Sequence, residues 1–124
     1  MHKGHIQRGR AGEEQAAGFL EANGYAIVCR NYRNRFGEID IIARHEKAVC
    51  FIEVKTRQSC DYGRPAEAVY AIKQRRIVRV ATQFLKERGW LEERVRFDVV
   101  SIVLGQEPAR IELIRDAFEA EPEV

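Results

Sequence analysis

Three charged side chains interrupt the apolar runs of the stretch from Gly37 to Arg57. Asp40 stands among three isoleucines, and Glu53 and Lys55 alternate with large apolar residues. Charges in apolar surroundings cost free energy unless they are paired with an opposite charge or coordinate a metal ion. Two acids and a lysine suit a divalent metal, because carboxylate oxygens bind Mg²⁺ while water keeps its other positions. A nearby lysine can then orient or deprotonate the attacking water of a hydrolytic reaction.

The elements that carry these charges read as two strands of a hairpin, residues 37–44 and 48–57. Both strands are apolar on both faces near their centres, which is typical of strands inside a sheet. Side chains alternate between the two faces of a strand, so the three charges are expected at one patch. In the second of these strands, one face is expected to carry Phe51, Glu53 and Lys55, and the other Cys50, Ile52 and Val54. In the first, one face is expected to carry Glu38, Asp40 and Ile42, and the other Ile39, Ile41 and Ala43.

A third acid is expected from the first predicted helix, which covers residues 10–23. Glu13 shares a face with Ala17 and Leu20 at helical spacing, whereas Glu14 lies away from that face. The sequence therefore predicts that Glu13 reaches the sheet. The alternative is that Glu13 only stabilises the helix N-terminus through the macrodipole.

A long predicted helix, residues 65–88, has a lysine at the centre of its apolar stripe. Val69 and Ile77 flank Lys73 at four-residue spacing, so Lys73 either extends to the edge of the stripe or faces the acid patch. The basic run KQRR, residues 73–76, also suits phosphate contacts, which supply affinity without sequence information.

The whole chain reads as one α/β domain of 124 residues with a mixed central β-sheet flanked by helices. The predicted order is α-β-β-β-α-β-β, with further strands at residues 25–30, 95–104 and 111–114. We expect the domain to cover residues 9–118, with flexible termini at residues 1–8 and 119–124.

The composition and charge distribution predict the surface charge and the cellular compartment of the protein. Its net charge is only +2, but arginines crowd the first two thirds, so a local basic face is expected on a near-neutral protein. No apolar run approaches the roughly 20 residues of a membrane helix, and no secretory signal precedes the first helix. Three cysteines without a CxxC pair favour a reducing cytosol over a zinc site or disulfide scaffold. The histidines have no ligand spacing and are expected at the surface.

Five ordered segments carry a resemblance to a known family: GRAGEEQAAGFLEANGY, RNYRNRFGEIDIIA, FIEVKTR, KQRRI and RFDVVSI. Together they resemble the YraN-like family of uncharacterised bacterial endonuclease-like proteins. GEID followed by EVK is also similar to the signature of the PD-(D/E)xK nucleases, which include restriction endonucleases and archaeal Holliday-junction resolvases. The resemblance implies a restriction-endonuclease-like core. Ile39 stands where that signature has a proline, at a structural position.

The resemblance also implies roles for particular residues. Asp40 and Glu53 would be catalytic metal carboxylates, Lys55 the catalytic lysine, and the Val54 carbonyl a further ligand of Mg²⁺ or Mn²⁺. Glu13 matches a catalytic and metal-binding glutamate on the first helix of resolvase-like members. Either Lys73 or Gln74 matches a polar helix residue near the site. The expected contacts to nucleic acid are Arg10, Arg33, Arg35, Arg57, Lys73, Gln74 and Arg76.

The leading interpretation is a cytoplasmic, metal-dependent endonuclease that hydrolyses DNA phosphodiester bonds, with branched or damaged structures as candidate substrates. The first alternative is a nucleic-acid-binding module that retains the nuclease fold and does not cut. The second is a structural salt-bridge network of the two acids and the lysine. By analogy with resolvases, which cut two strands of a four-way junction, the resemblance suggests a homodimer.

Overall fold

The computed structural model describes residues 3–58, 71–105 and 108–119 of the chain. The described elements follow the order α-β-β-β-α-β-β, which confirms the predicted order and the α/β class. They are α1 (Lys3–Ala22), β1 (Ala26–Asn34), β2 (Gly37–His45), β3 (Ala48–Gln58), α2 (Ala71–Arg88), β4 (Arg94–Leu104) and β5 (Arg110–Ile114).

The five strands form one mixed sheet in the order β1-β2-β3-β4-β5. Neighbouring strands are antiparallel except β3 and β4, which are parallel. A parallel pair needs a crossover connection, and α2 lies in the segment that links β3 to β4. This mixed sheet with flanking helices agrees with the predicted restriction-endonuclease-like core.

The two helices are associated with two different hydrophobic cores. The central strands β2, β3 and β4 contribute to both cores, as their nearly continuous apolar sequences predict. No helix in the described ranges is long and apolar enough to cross a membrane. The α1-side core includes Leu20, Ile41, Ile52, Val100 and Ile102, and the α2-side core includes Ile39, Phe51, Ile77, Phe84 and Val99.

Two element boundaries differ from the predicted ones. β1 continues to Asn34 because the segment predicted as an asparagine- and arginine-rich loop pairs with β2 and turns only at residues 35–36. α1 begins at Lys3 rather than Arg10, so part of the N-terminal segment predicted to be loose is helical. The predicted start of α2 at residues 65–70 lies outside the described residues, and the domain limits stay a prediction.

The feature that positions the site is a separation of β2 from β3. Their ladder begins at the hairpin turn and ends at the pair Ile41–Ile52. Beyond that pair β2 stays paired with β1 as far as Gly37, whereas β3 stays paired with β4 as far as Gln58. The sheet therefore opens into a fork between β2 and β3, where backbone polar groups need other partners.

The fork also interrupts the predicted alternation of β2. Ile39 was expected on the same face as Ile41, but it packs in the α2-side core together with Ile42. That expectation was wrong because strict alternation assumes a regular ladder, and the pairing of β2 with β3 ends between Ile39 and Ile41. The alternation predicted for β3 holds, since Phe51 lies in the α2-side core and Ile52 in the α1-side core.

Candidate active site

Asp40 and Glu53 meet at the fork. Each lies one residue beyond the last ladder pair, Asp40 on β2 and Glu53 on β3. Asp40 Oδ2 accepts a hydrogen bond from the Val54 amide at 2.8 Å, so this side chain takes over a backbone donor that the ladder no longer satisfies. The two carboxyl groups lie close enough together for the negative charge of Asp40 to act on Glu53. The structure thus brings together two acids that are far apart in sequence.

Glu53 is a buried carboxyl group whose hydrogen-bonding capacity is only partly used. The residue is 6% exposed, and its Oε1 atom has no hydrogen-bond partner. The pKa of Glu53 is raised to about 8, first because burial disfavours the charged form and second because the negative charge of Asp40 lies beside it. Lys73 and Lys55 oppose this rise but do not cancel it.

Two lysines flank the carboxyl groups. Lys55 follows Glu53 by two residues on β3, and Lys73 reaches the same place from α2. The pKa of Lys73 is lowered, first by burial and then by the adjacent Lys55, while the charge of Glu53 acts in the opposite direction. Lys73 was predicted either to extend to the edge of the apolar stripe or to face the acid patch. In the structure it faces the acid patch.

The charges at the fork are close without forming direct ion pairs. Within the described ranges, the ion pairs do not include one between either lysine and either carboxylate. A structural salt-bridge network would be expected to form such pairs, because an unpaired buried charge is strongly destabilising.

Glu13 lies beside this cluster. Its half-buried side chain lies beside Asn31 and near enough to Asp40 for the two charges to interact. The pKa of Glu13 is raised, chiefly by burial. Glu14 instead forms an exposed ion pair with Arg30 at 3.0 Å. As predicted from helical spacing, Glu13 and not Glu14 approaches the sheet.

The donor set at the fork suits a hard divalent cation with few protein ligands. No three His, Cys, Asp or Glu side chains of the described residues lie close enough together to hold one ion. Two carboxylates are nevertheless sufficient for Mg²⁺, which keeps waters and substrate oxygens as its other ligands. The buried, partnerless Oε1 of Glu53 is an oxygen that such an ion would satisfy. Ligation by Glu13 and by the Val54 carbonyl stays a prediction.

Asn31 is a site residue that the sequence analysis missed. It lies between the pairs Arg30–Ile41 and Tyr32–Ile39, hence opposite Asp40, and it adopts a left-handed φ of 53°. Left-handed backbone within a strand is strained, and such strain clusters at functional sites. The signal in the sequence was an asparagine in a strand, a residue type that tolerates this conformation better than most.

Two substitutions at Asn31 separate its backbone role from its side-chain role. Asn31→Ala is expected to destabilise the protein by roughly 1–2 kcal/mol, because alanine resists left-handed φ, whereas Asn31→Gly should leave stability nearly unchanged. Both variants remove the Asn31 amide, which lowers the pKa of Glu13, and should therefore raise the pKa of Glu13 further. Urea unfolding and NMR titration of the carboxyl groups measure the two effects. Equal stability of both variants, or an unchanged pKa of Glu13, would contradict this assignment.

Ser101 is a second missed residue. It is buried on β4 in register with Lys55, and its Oγ has no hydrogen-bond partner. A buried hydroxyl normally has a partner, so the unpartnered Oγ of Ser101 next to Lys55 is an exception in the described part of the chain. The signal was a single hydroxyl in the apolar run VVSIV, which alternation alone could not assign to the site.

A second buried charge cluster, near the hairpin turn, provides a contrast. Asp98 accepts hydrogen bonds from Arg96, from the Tyr25 hydroxyl and from the Asp116 amide. His45, predicted at the surface, is buried here because its ring stacks on Tyr25 at 4.0 Å between centroids. Both oxygens of Asp98 have partners, so this cluster is structural, whereas Glu53 at the fork is left with an oxygen that has none.

Two of the arginines predicted to contact nucleic acid lie near each other beside the fork. The Arg35 guanidinium lies over the Phe36 ring, 4.7 Å from its centroid. A Cβ at Gly37, the first residue of β2, would lie 3.2 Å from Arg76 Cδ, so the start of β2 is in close contact with this arginine of α2.

The other residues that were predicted to contact nucleic acid have surroundings different from those of Arg35 and Arg76. Arg33 and Arg57 each form an ion pair with a glutamate, at 2.7 Å and 3.7 Å. Gln74 is half-buried on α2 next to Lys73, and the side chain of Arg10 lies outside the described part of the structure. Lys73 belongs to the acid and lysine cluster itself.

Comparisons with known proteins agree on one family. The model of the uncharacterised protein family UPF0102 matches residues 12–102, a range that includes Glu13, Asp40, Glu53, Lys55 and Lys73. A UPF0102 protein of Desulfosudis oleivorans is 50% identical over 114 residues, which cover 92% of this chain and 91% of the relative. A UPF0102 protein of Syntrophus aciditrophicus is 48% identical over 114 residues, covering 92% and 90%. One of Rhodococcus jostii is 50% identical over 111 residues, covering 89% and 94%.

Proposed function

The chain belongs to the uncharacterised protein family UPF0102, and we propose that it is a metal-dependent endonuclease that hydrolyses phosphodiester bonds in DNA. The observation that carries this proposal is the contact between Asp40 and Glu53 at the fork, where a buried carboxylate oxygen has no partner. The family name assigns no activity, and the proposed activity is drawn from the chemistry of the site.

The fork has the features of a site under functional rather than structural constraint. Placing two carboxyl groups side by side and burying one of them destabilises a folded protein when both are ionised, unless a cation compensates. At Asp98 the same chain satisfies a buried carboxylate completely, whereas at the fork it does not. Raised and lowered pKa values concentrated at one place are typical of active sites.

In the proposed reaction, Asp40 and Glu53 would hold one or two Mg²⁺ or Mn²⁺ ions. When bound, such an ion would supply Lewis-acid stabilisation of the negative charge that develops on the phosphate and on the leaving oxygen. Lys55 orients the attacking water and accepts its proton as the water oxygen bonds to phosphorus. The bond from phosphorus to the leaving sugar oxygen breaks, and that oxygen takes a proton from solvent.

The other side chains of the site would position the carboxylates and the substrate. Asn31 holds Glu13 next to Asp40, and the Val54 amide fixes Asp40 Oδ2. Lys73 lowers the pKa of Glu53 and so favours the ionised, metal-binding form of that carboxylate. Arg35 and Arg76 lie beside the fork, where they would contact the phosphates that flank the cleaved bond.

The test is a cleavage assay with Mg²⁺ or Mn²⁺ on end-labelled single-stranded, duplex, flap, fork and four-way-junction DNA and on one RNA. The wild-type protein is expected to cut at least one DNA. Asp40→Asn should lower the rate on the order of 10²–10³-fold, since loss of a ligand forfeits several kcal/mol of transition-state stabilisation.

Glu38→Gln is the matched control for Asp40→Asn, because Glu38 is an exposed acid two residues earlier on β2. It should cut as the wild type does. If the wild type cuts none of these nucleic acids but binds them in a salt-dependent manner, the endonuclease proposal fails. The chain would then be a nucleic-acid-binding module that retains the fold.

A further inference from the structure

A basic pocket lies next to the fork, between the turn that links β1 to β2 and the first turns of α2. Its volume is about 270 Å³, and the described residues that line it are Phe36, Ile72, Arg75, Arg76 and Arg79. Ile72 is 71% exposed, which is unusual for a large apolar side chain surrounded by arginines. We call this site the arginine pocket.

The arginine pocket combines two kinds of surface. Three guanidinium groups can bind phosphate oxygens, often through two parallel hydrogen bonds. Phe36 and Ile72 add an aromatic ring and an aliphatic side chain, which phosphate contacts alone do not require. Arginine planes and aromatic rings are also the groups on which unpaired bases stack.

The position of the arginine pocket relative to Asp40 and Glu53 follows from the fold. Arg76 lies three residues after Lys73 on α2, about 4.5 Å along the helix axis. Phe36 precedes Asp40 by four residues, roughly 13 Å along the strand direction. One DNA strand advances about 3.4 Å per nucleotide in a duplex, so the pocket lies within roughly four nucleotides of a phosphate held at the fork.

We infer that the arginine pocket accepts an unpaired nucleotide of the DNA strand that is cut, with its base against Phe36 and Ile72 and neighbouring phosphates on the arginines. This inference rests on the proposed function and narrows its substrate to DNA with a single-stranded segment beside the cleaved bond. A base inside a duplex is stacked on both faces, so only an unpaired base can offer a face to the pocket. The volume is below the roughly 300–1,000 Å³ of sites for drug-sized molecules, which suits one nucleoside.

Binding without cleavage tests the pocket separately from the active site. Fluorescence anisotropy in EDTA would compare duplex, forked and single-stranded DNA of equal length. The wild type is expected to prefer the forked and single-stranded DNA. Phe36→Ala should weaken binding of those two DNAs about 5- to 150-fold and leave duplex binding unchanged. Arg75→Ala should weaken binding of all three and reduce the salt dependence.

Because Phe36 also packs against the α2-side core, two further variants guard against misfolding. Phe36→Leu keeps an apolar side chain but loses the aromatic face, whereas Phe36→Trp keeps it. The preference for unpaired DNA should be lost in the first variant and retained in the second. Leu91→Ala, at an exposed apolar residue outside the pocket, is the matched control and should bind as the wild type does.

A base analogue provides a direct readout. The fluorescence of 2-aminopurine at the unpaired position of the fork should change on binding to the wild type and not to Phe36→Leu. Equal affinity of the wild type for duplex and forked DNA, or the same preference in Phe36→Leu, would overturn the inference. Tighter binding of forked RNA than forked DNA would overturn the choice of DNA, and tighter binding of an acidic peptide would overturn a nucleotide as the occupant.

The outcomes also separate the two proposals. Intact preference for unpaired DNA with no cleavage in Mg²⁺ or Mn²⁺ would refute the endonuclease and leave the pocket as a binding site. Cleavage without that preference would refute the pocket and leave the endonuclease.

Discussion

Glu53→Gln is expected to make the metal-free protein more stable than the wild type at pH 9, by about 2–4 kcal/mol in the free energy of unfolding. Most substitutions of buried residues destabilise, so the sign of this effect is its diagnostic feature. Glutamine occupies nearly the same volume and keeps hydrogen-bonding groups, but it cannot become charged beside Asp40. The expected rise in melting temperature is on the order of 10 °C.

The pH dependence of this effect follows from proton linkage. Glu53 has a pKa of about 8 in the folded protein, above its ordinary value, so the folded state binds the proton more tightly than the unfolded state does. The resulting stabilisation is present below the unfolded-state pKa and is lost as the pH rises through about 8. Glu53→Gln lacks this loss, so the two proteins should have similar stability near pH 4 and diverge above pH 5. At 1.36 kcal/mol per pKa unit, the difference cannot exceed about 5 kcal/mol.

Two comparisons establish whether this stabilisation arises at the site. Mg²⁺ should stabilise the wild type by mass action, about 2.7 kcal/mol at a hundred times its dissociation constant, and should stabilise Glu53→Gln far less. Glu14→Gln, at an exposed acid paired with Arg30, should show no increase at pH 9. A loss of stability in Glu53→Gln at pH 9 would mean that the lysines hold Glu53 as a structural ion pair, and the metal site would be refuted.

The broad architecture could be predicted because it depends on local patterns. Apolar runs in 37–44 and 48–57 with a short turn between them define a hairpin inside a sheet, and the structure has that hairpin. Helical spacing correctly distinguished Glu13 from Glu14. The ordered motifs predicted the YraN-like family, which the match to UPF0102 confirms. These predictions needed only periodicity and sequence order.

The fork could not be predicted because it arises from strand pairing. Where β2 leaves β3 depends on which neighbour each strand keeps, and that information is not in either strand's own alternation. Ile39 was therefore placed on the wrong face, and the site residue Asn31, opposite Asp40, was read as part of a loop. The arginine pocket likewise depends on α2 lying close to the backbone at Gly37.

Lys55→Ala is expected to lower kcat about 10²–10⁴-fold on the preferred DNA, the usual contribution of a group that transfers a proton in the transition state. Lys55 lies on β3 two residues from Glu53, and β3 is paired with β4 on its far side, so the backbone fixes its position relative to the carboxylate. Single-turnover cleavage of saturating substrate measures this loss without the contribution of product release. Lys55→Arg cannot be deprotonated, so it should recover little activity if Lys55 accepts the proton as a neutral amine.

Lys73→Ala is the informative comparison, because both lysines face Glu53 and only their roles differ. The positive charge of Lys73 lowers the pKa of Glu53, so its removal should raise that pKa and move the acidic limb of the kcat/KM profile to higher pH. Activity should then recover at pH 9, whereas in Lys55→Ala it should stay low at every pH. If instead Lys73→Ala loses more activity than Lys55→Ala and does not recover at high pH, Lys73 is the proton acceptor and the assignment of Lys55 is wrong. Because Lys55 and Lys73 lie next to each other, the double variant should lose no more than the more damaging single variant if the two act as one unit.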